Sequence, residues 1–510
     1  MIKPLRALWR HLWDTETYWL TRFFLLRMLG LIYTIAFLII VFQGEALLGS
    51  EGLTPADQYL QAYRSNHDTL WRALVQKPSV FVLYYSDSFF QGTALTGLLL
   101  SNIVLAGFSN SLMLGVLWLQ YLSFVHIGQI WYGYGWEMQL LETGFLGIFL
   151  AAPLDPRPFS RHPPTAVIWL FRWLTFRLML GSGLIKLRGD SCWWDLTCLY
   201  YHYETQPLPN TFSWYFHHLP GVVHQAGVLF NHFVEVICPF GVFGPQLIRY
   251  LAGSFMGLFQ VILIASGNLS FLNWLTLIAV LACFDDNAFR TVLPEKIVQP
   301  LESLKTSSTT VSLAHKIKIG LLVALIGWLS INPIKNLIRD RQLMNAGFEP
   351  FRIVNTYGAF GSIGKTRREL VIQGTRDRNP DLMTDWKEYD FKAKPGPVSE
   401  TPPWLSPYHY RLDWQIWFAA MSSPRRHPWV LNLVWKLLNN DRKTLGLLET
   451  NPFPDNPPRY IKIDRYRYEF TKPGSRSGHT WKRTVDSNWL PPLSRENSKF
   501  RAILKRRGWL

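Results

Sequence analysis

Leu184-Ile185-Lys186-Leu187-Arg188-Gly189-Asp190-Ser191-Cys192-Trp193-Trp194-Asp195-Leu196-Thr197-Cys198 opens the stretch on which the fold turns, and Leu199-Tyr200-Tyr201-His202-Tyr203-Glu204-Thr205-Gln206-Pro207-Leu208-Pro209-Asn210 completes it. Its first residues are the last turn of a long apolar helix. Without a linker, that helix becomes a polar, aromatic loop holding two cysteines. The sequence before it, and the next hundred residues after it, read as apolar helices near bilayer length. Such a chain is a membrane bundle, because a helix satisfies its own backbone N–H and C=O groups where no water reaches.

Working outward, apolar runs predict spans at about 23–42, 92–109, 111–131, 134–152, 166–185, 228–244, 247–266, 269–284 and 316–333, several of them short for the ~20 residues that a span needs. The segment 79–90 is aromatic but broken by Asp87, which suits an interfacial position. Lys3, Arg6, Arg10 and Arg22 precede the first span, which places residues 1–22 in the cytoplasm by the Lys/Arg bias. Alternation through about nine spans (23–333) then puts Arg157 and Arg161, and the Ser/Thr-rich 295–315 segment, back in the cytoplasm. The 186–227 loop and everything after 334 fall on the opposite face.

Composition agrees: 48% of the 510 residues are hydrophobic and 15% aromatic, including 23 Trp, yet mean hydropathy is near neutral, so a polar part must offset the spans. That part begins at 334. Short alternating runs at 369–374, 386–391, 460–463 and 466–470 predict strands of a small sheet or sandwich, with a helical insert over 412–448. The fold class read from the chain is thus a polytopic α-helical membrane bundle followed by a mainly β, sandwich-like aqueous domain. The net charge of +17 is spread over the termini and the C-terminal third without a basic reader helix, which fits a solvated domain beside anionic lipid and no nucleic acid.

Of the four cysteines, Cys238 and Cys283 fall in apolar runs and suit buried small hydrophobes, while Cys192 and Cys198 sit in the loop. A disulfide there would persist only on the non-cytosolic face; two buried thiols are the other reading. Ionisable groups within spans are costly and need partners, and Arg27, Glu137, Glu142, Arg172, Arg177, Lys186, His232 and Glu235 are the candidates. Pairing between helices would fix the bundle. A polar cavity near Lys186, with Glu137, Glu142, His232 and Glu235 contributing, is the sharper alternative. His232 and Glu235 stand three apart on one helical face, too few ligands for a metal, so no metal and no cofactor are expected. There is no Gly-x-Ser-x-Gly elbow, and Gly361-Ser362-Ile363-Gly364-Lys365 lacks the spacing of a phosphate loop.

Gly135-Trp136-Glu137-Met138-Gln139-Leu140-Leu141-Glu142, Tyr201-His202-Tyr203-Glu204-Thr205-Gln206-Pro207 and Asn231-His232-Phe233-Val234-Glu235 resemble the lipase maturation factor family, as do Val354-Asn355-Thr356-Tyr357-Gly358-Ala359-Phe360-Gly361 and Arg411-Leu412-Asp413-Trp414-Gln415-Ile416-Trp417-Phe418 in the aqueous part. The resemblance covers most of the chain. It implies a multi-pass endoplasmic reticulum membrane protein, or a bacterial inner-membrane one with a periplasmic domain, whose 334–510 region holds client secreted lipases during folding. Asn268-Leu269-Ser270 is the one glycosylation sequon.

Ser182-Gly183-Leu184-Ile185-Lys186-Leu187 is also similar to the Ala-Gly-x-Lys-Lys-Leu stretch of vitamin K-dependent γ-glutamyl carboxylase, whose second lysine is a base. That likeness implies a membrane enzyme in which Lys186 takes the same role. Lys186 snorkelling to the interface, or pairing with Glu142 or Glu235, is the structural alternative, and a transporter is disfavoured because no inverted repeat is visible.

Overall fold

The computed structural model describes residues 18–304 and 312–510, so most of the basic N-terminal segment and part of the Ser/Thr-rich segment lie outside the described residues. Apolar composition makes the membrane helices, and polar caps set their ends. They are α1 (Trp19–Leu48), α2 (Asp87–Ala106), α3 (Ser111–Ile127), α4 (Gly135–Leu150), α5 (Thr165–Leu187), α6 (Gly221–His232), α7 (Gln246–Ser266), α8 (Leu272–Val280) and α9 (Leu313–Leu329). The Ser86 side chain accepts the N–H of Phe89 to start α2, and that of Asn110 accepts Met113 to start α3. Asp87 therefore opens a helix rather than breaking an interfacial segment.

Among the described residues five helices are long and apolar enough to cross a bilayer on their own, α1, α2, α5, α7 and α9 with its continuation to Ile338, and a sixth if α8 with its 3-10 end is joined to Asp286–Val292, which turns away by 110°. Together with the shorter helices they make a multi-pass membrane protein. Contacts between connections sort the loops into two groups. On one face the Leu20 N–H donates to Asp286, Arg22 to the Arg161 carbonyl, and Ser109 to the Pro156 carbonyl. On the other, Gln129 reaches Thr54, Asn432 reaches Gly52 and Leu53, and Asn268 reaches Pro209 and Pro403. Successive connections alternate between these groups along α1–α9. The 186–227 loop and the C-terminal region therefore share one face.

The C-terminal region carries the expected strands as one antiparallel sheet in the order β2-β1-β3-β4, built from β1 (Arg367–Thr375), β2 (Lys387–Tyr389), β3 (Tyr460–Phe470) and β4 (Trp481–Ser494). Two differences from the sequence reading stand out. The runs at 460–463 and 466–470 form one strand, because bulges at Ile461/Ile463 and Arg465/Tyr466 shift the pairing without ending it. The second layer of a sandwich is replaced by helices: α10 (Arg411–Ala420) and α11 (Trp429–Leu438) cover the sheet. Their buried Leu412, Ile416, Leu433 and Leu437 join β1 and β3 to the same continuous core as the membrane helices. The aqueous part is thus packed into the end of the bundle.

Candidate functional site

Helix α6 does not end at His232. It continues through a widened π turn, Phe233–Ile237, into Cys238–Gly241. Pro239 supplies the local cause, since it has no N–H to give the carbonyl four residues back and its ring crowds that carbonyl. The widened turn carries Glu235. Opposite it, α5 comes close enough that a Cβ on Gly183 would lie 2.8 Å from Val236 Cγ2 and 3.0 Å from the Glu235 carbonyl oxygen. Glycine at 183 thus lets the two helices meet, and one turn on, Lys186 meets Glu235.

Lys186 Nζ donates to both Glu235 carboxylate oxygens at 2.7 and 2.6 Å and to Asn231 Oδ1 at 2.8 Å. It also lies 5.1 Å from the centre of the Trp193 ring, in the cystine loop. Both partners are buried, and both border an open-mouthed cavity of about 1010 Å³ lined by α4–α8, the 186–227 loop, residues 340–345, 357–362 and α10. Of the two pairings foreseen for Lys186, the one with Glu235 forms, and it forms at the cavity wall.

The other predicted members go elsewhere. Glu142 sits outside the cavity, paired with Arg177 and accepting from the Asn355 N–H at 3.0 Å and the Tyr357 hydroxyl at 2.7 Å. Glu137 pairs with Arg411 of α10 at 2.7 Å and accepts from Trp136 Nε1 and the Tyr121 hydroxyl. Neither carboxylate has oxygen to spare for a cavity. His232 turns its Nε2 to the Trp193 carbonyl at 3.1 Å and does not line the cavity. Arg172 donates to the Ala282 carbonyl and the Tyr18 hydroxyl, and Arg27 to the Val104 carbonyl while stacking on Phe23. The expected charge network is therefore three separate pairs, with two arginines satisfied by neutral oxygens.

Cys192 and Cys198 are at bonding distance with Cα atoms 4.8 Å apart, and the loop they close packs on Ile363. Trp193 Nε1 donates to the Phe360 carbonyl at 3.0 Å, and the Asp190 N–H donates to the Gly361 carbonyl at 2.8 Å. Cys238 and Cys283 are free and buried. His202, on the short helix Leu199–Thr205 beside the cavity, is held down to about 4 by burial and by the Lys186 charge. It stands there as a neutral imidazole. Asn268 of the sequon is buried too: its oxygen accepts the N–H groups of Leu405 and Ser406, and its amide donates to Pro209 and Pro403. It joins loops, and no acceptor for a glycan faces solvent there.

Sequence reasoning missed the C-terminal side chains that complete the bundle. Arg411, one residue before the insert expected over 412–448, is fully buried over the Tyr132 ring, 3.6 Å from its centre, beside Glu137. Arg367 of β1 pairs with Glu369 and donates to the Glu204, Gln206 and Pro207 carbonyls, tying the sheet to the loop. The spans gave no signal for Arg411, because their own bases Arg27, Arg172, Arg177 and Lys186 already outnumber the acids Glu137, Glu142 and Glu235. Among the described residues, no three His, Cys, Asp or Glu side chains converge as a metal set.

Comparison with known proteins covers both halves. Residues 20–291 match the family model described as lipase maturation factor transmembrane domain, and residues 353–491 match the lipase maturation factor C-terminal domain. Lipase maturation factor 1 of Mus musculus is 45% identical over 525 residues, covering 97% of this chain and 90% of the mouse protein. The Bos taurus protein of that name is 43% identical over 522 residues, 97% of this chain and 92% of the relative. Lipase maturation factor 2 of Homo sapiens is 28% identical over 598 residues, 94% of this chain and 83% of the relative. No solved structure matches the chain. With both domain models in register with the bundle and the sheet region that the structure shows, the chain belongs to the lipase maturation factor family.

Proposed function

We propose that the protein is a membrane-anchored maturation factor that assists the folding and assembly of secreted lipases, acting from the endoplasmic reticulum membrane with its 186–227 loop and residues 334–510 in the lumen. In a bacterial source the same face is periplasmic. The observation that carries this reading is the extent of the likeness, which spans 97% of this chain in lipase maturation factor 1 of two mammals. The client-holding surface lies within 334–510. Leu382 and Met383 are 103% and 90% exposed there, an apolar tip of the kind that meets partly folded chains.

The test uses the whole chain, because the C-terminal region shares its core with the bundle and deletion would unfold both. In cells stripped of their own lipase maturation factors, the intact chain restores secreted lipase activity. The doubly substituted Leu382→Ser, Met383→Ser protein captures less client at unchanged stability. No restoration by the intact chain, at normal expression, would overturn the proposal.

A second reading, a carboxylase-like enzyme with Lys186 as base, is favoured by the cavity beside that lysine. Its geometry argues the other way: a lysine aimed at three acceptors uses all three ammonium N–H groups and keeps no lone pair for a proton. Lys186→Met with Glu235→Leu removes both charges together. It spares maturation if the pair is structural and abolishes it if Lys186 is a base.

A further inference from the structure

The cavity has a polar feature that the ion pair does not explain. Gln139 of α4, fully buried, donates its amide to Thr276 Oγ1 at 3.2 Å, and that hydroxyl donates to the Leu272 carbonyl at 3.0 Å. The Thr276 proton is thus committed, which fixes Gln139 as the donor and leaves its Oε1 as an acceptor without a partner. Asn273 Oδ1, on the same helix as Thr276 and 2% exposed as a residue, is also unpartnered. Gln260 Nε2, in the facing helix α7, finds only the Met179 sulfur at 3.7 Å, a weak acceptor. All four side chains, Gln139, Asn273, Thr276 and Gln260, line the cavity.

Most of the remaining wall is apolar, with Leu178, Phe230, Phe259, Leu263, Leu269 and Trp414 among its side chains, and Ser182, His202 and Asn231 are polar members beside the ion pair. Its buried cation is already matched by Glu235, and Arg188 and Arg341 stand exposed at the rim. A molecule that fits needs a hydroxyl to give to unpartnered acceptors, a carbonyl to take an amide N–H, a long apolar body and no charge. At about 1010 Å³ the space lies at the upper end of the ~300–1,000 Å³ of small-molecule sites.

We infer that this cavity binds an uncharged acylglycerol-type lipid, its free hydroxyl on Gln139 and Asn273, an ester carbonyl on Gln260, and its chains along the α5–α7 wall. The charged pair of Lys186 and Glu235 is internally satisfied and borders the ligand without holding it. A phospholipid would instead seat its phosphate at the arginine rim and leave the two acceptors against hydrocarbon, where an unmet buried oxygen is costly.

The full chain in phosphatidylcholine nanodiscs, exposed to a photoreactive, click-tagged 1,2-diacylglycerol, tests this. Label is expected on peptides within 134–140 and 256–276. Gln139→Leu is expected to reduce it about fivefold, the equivalent of one hydrogen bond of about 1 kcal/mol, at an unchanged or raised unfolding midpoint, since the variant removes an unmet acceptor. Ala226→Trp, at the exposed edge of the same cavity, fills space from outside the core and is expected to lower labelling likewise. Three results would overturn the inference: equal or stronger labelling by a tagged phosphatidylglycerol, label spread over the outer helix faces, or labelling indifferent to both variants.

Discussion

Two buried ion pairs at the same end of the bundle make different use of the same chemistry. At the seam, Glu137 and Arg411 join a membrane helix to the C-terminal region and are surrounded by further donors and an aromatic face. At the cavity wall, Lys186 and Glu235 join two membrane helices and border open space. Burial alone does not tell a lock from a lining. The surroundings do: the seam pair is closed in by packed side chains and the Tyr132 ring, whereas the wall pair borders open space.

The largest effect that would break this comparison is at the seam. Arg411→Met strands Glu137 in a dry site, where losing one partner of a buried pair costs about 3–5 kcal/mol, measured as lower thermal stability in detergent and earlier proteolytic release of the C-terminal region. Adding Glu137→Gln recovers part of the loss. A single variant as stable as the parent would dissolve the distinction.

Acid probes the cavity side. His202 is held neutral down to about 4 against an ordinary 6.5, so the unfolded chain takes up its proton first and stability falls as pH drops through that window. At ~1.36 kcal/mol per pH unit the loss approaches about 3 kcal/mol by pH 4, and His202→Gln should lack this component. Comparing the two proteins isolates it from Asp413, which burial raises to about 6 and which therefore gains stability over part of the same range. Parallel pH curves would show that His202 is not sealed beside Lys186.

Smaller again is the cystine. Cys198→Ser opens a short loop whose closure contributes about 2 kcal/mol by chain entropy, and reductant on the parent should reproduce that shift in midpoint. Least of all is Lys186→Met, predicted to cost about 1–2 kcal/mol because the bared carboxylate borders a cavity that can admit water or a proton. A loss equal to that of Arg411→Met would mean that the cavity is as dry and committed as the seam.

How much of this was legible in the sequence depends on distance along the chain. The helix positions were readable because apolar runs are local, whereas the start of α2 at Asp87 was not, because its cap Ser86 lies in a segment expected to be interfacial. β1, β2 and β3 were readable from alternation, but β4 was not: Trp481–Ser494 carries Pro491 and Pro492 and looks like a loop, and it pairs because both prolines fall in the register shift between Leu490 and Leu493, where the ladder takes no N–H from them. Glu235 as the partner of Lys186 was readable as an alternative. That it would be chosen over Glu142 was not, since the choice rests on the π turn at Pro239 and the close approach at Gly183. The 274-residue separation of Glu137 and Arg411 left no local trace at all.

That long reach has a consequence for biosynthesis. The membrane helices leave the ribosome hundreds of residues before the arginine that neutralises one of their carboxylates. Until residue 411 is made and docked, the buried Glu137 has only the neutral donors Tyr121 and Trp136 and no counter-charge within the bundle's interior. A messenger truncated anywhere upstream of that codon would therefore forfeit the anchor along with the tail.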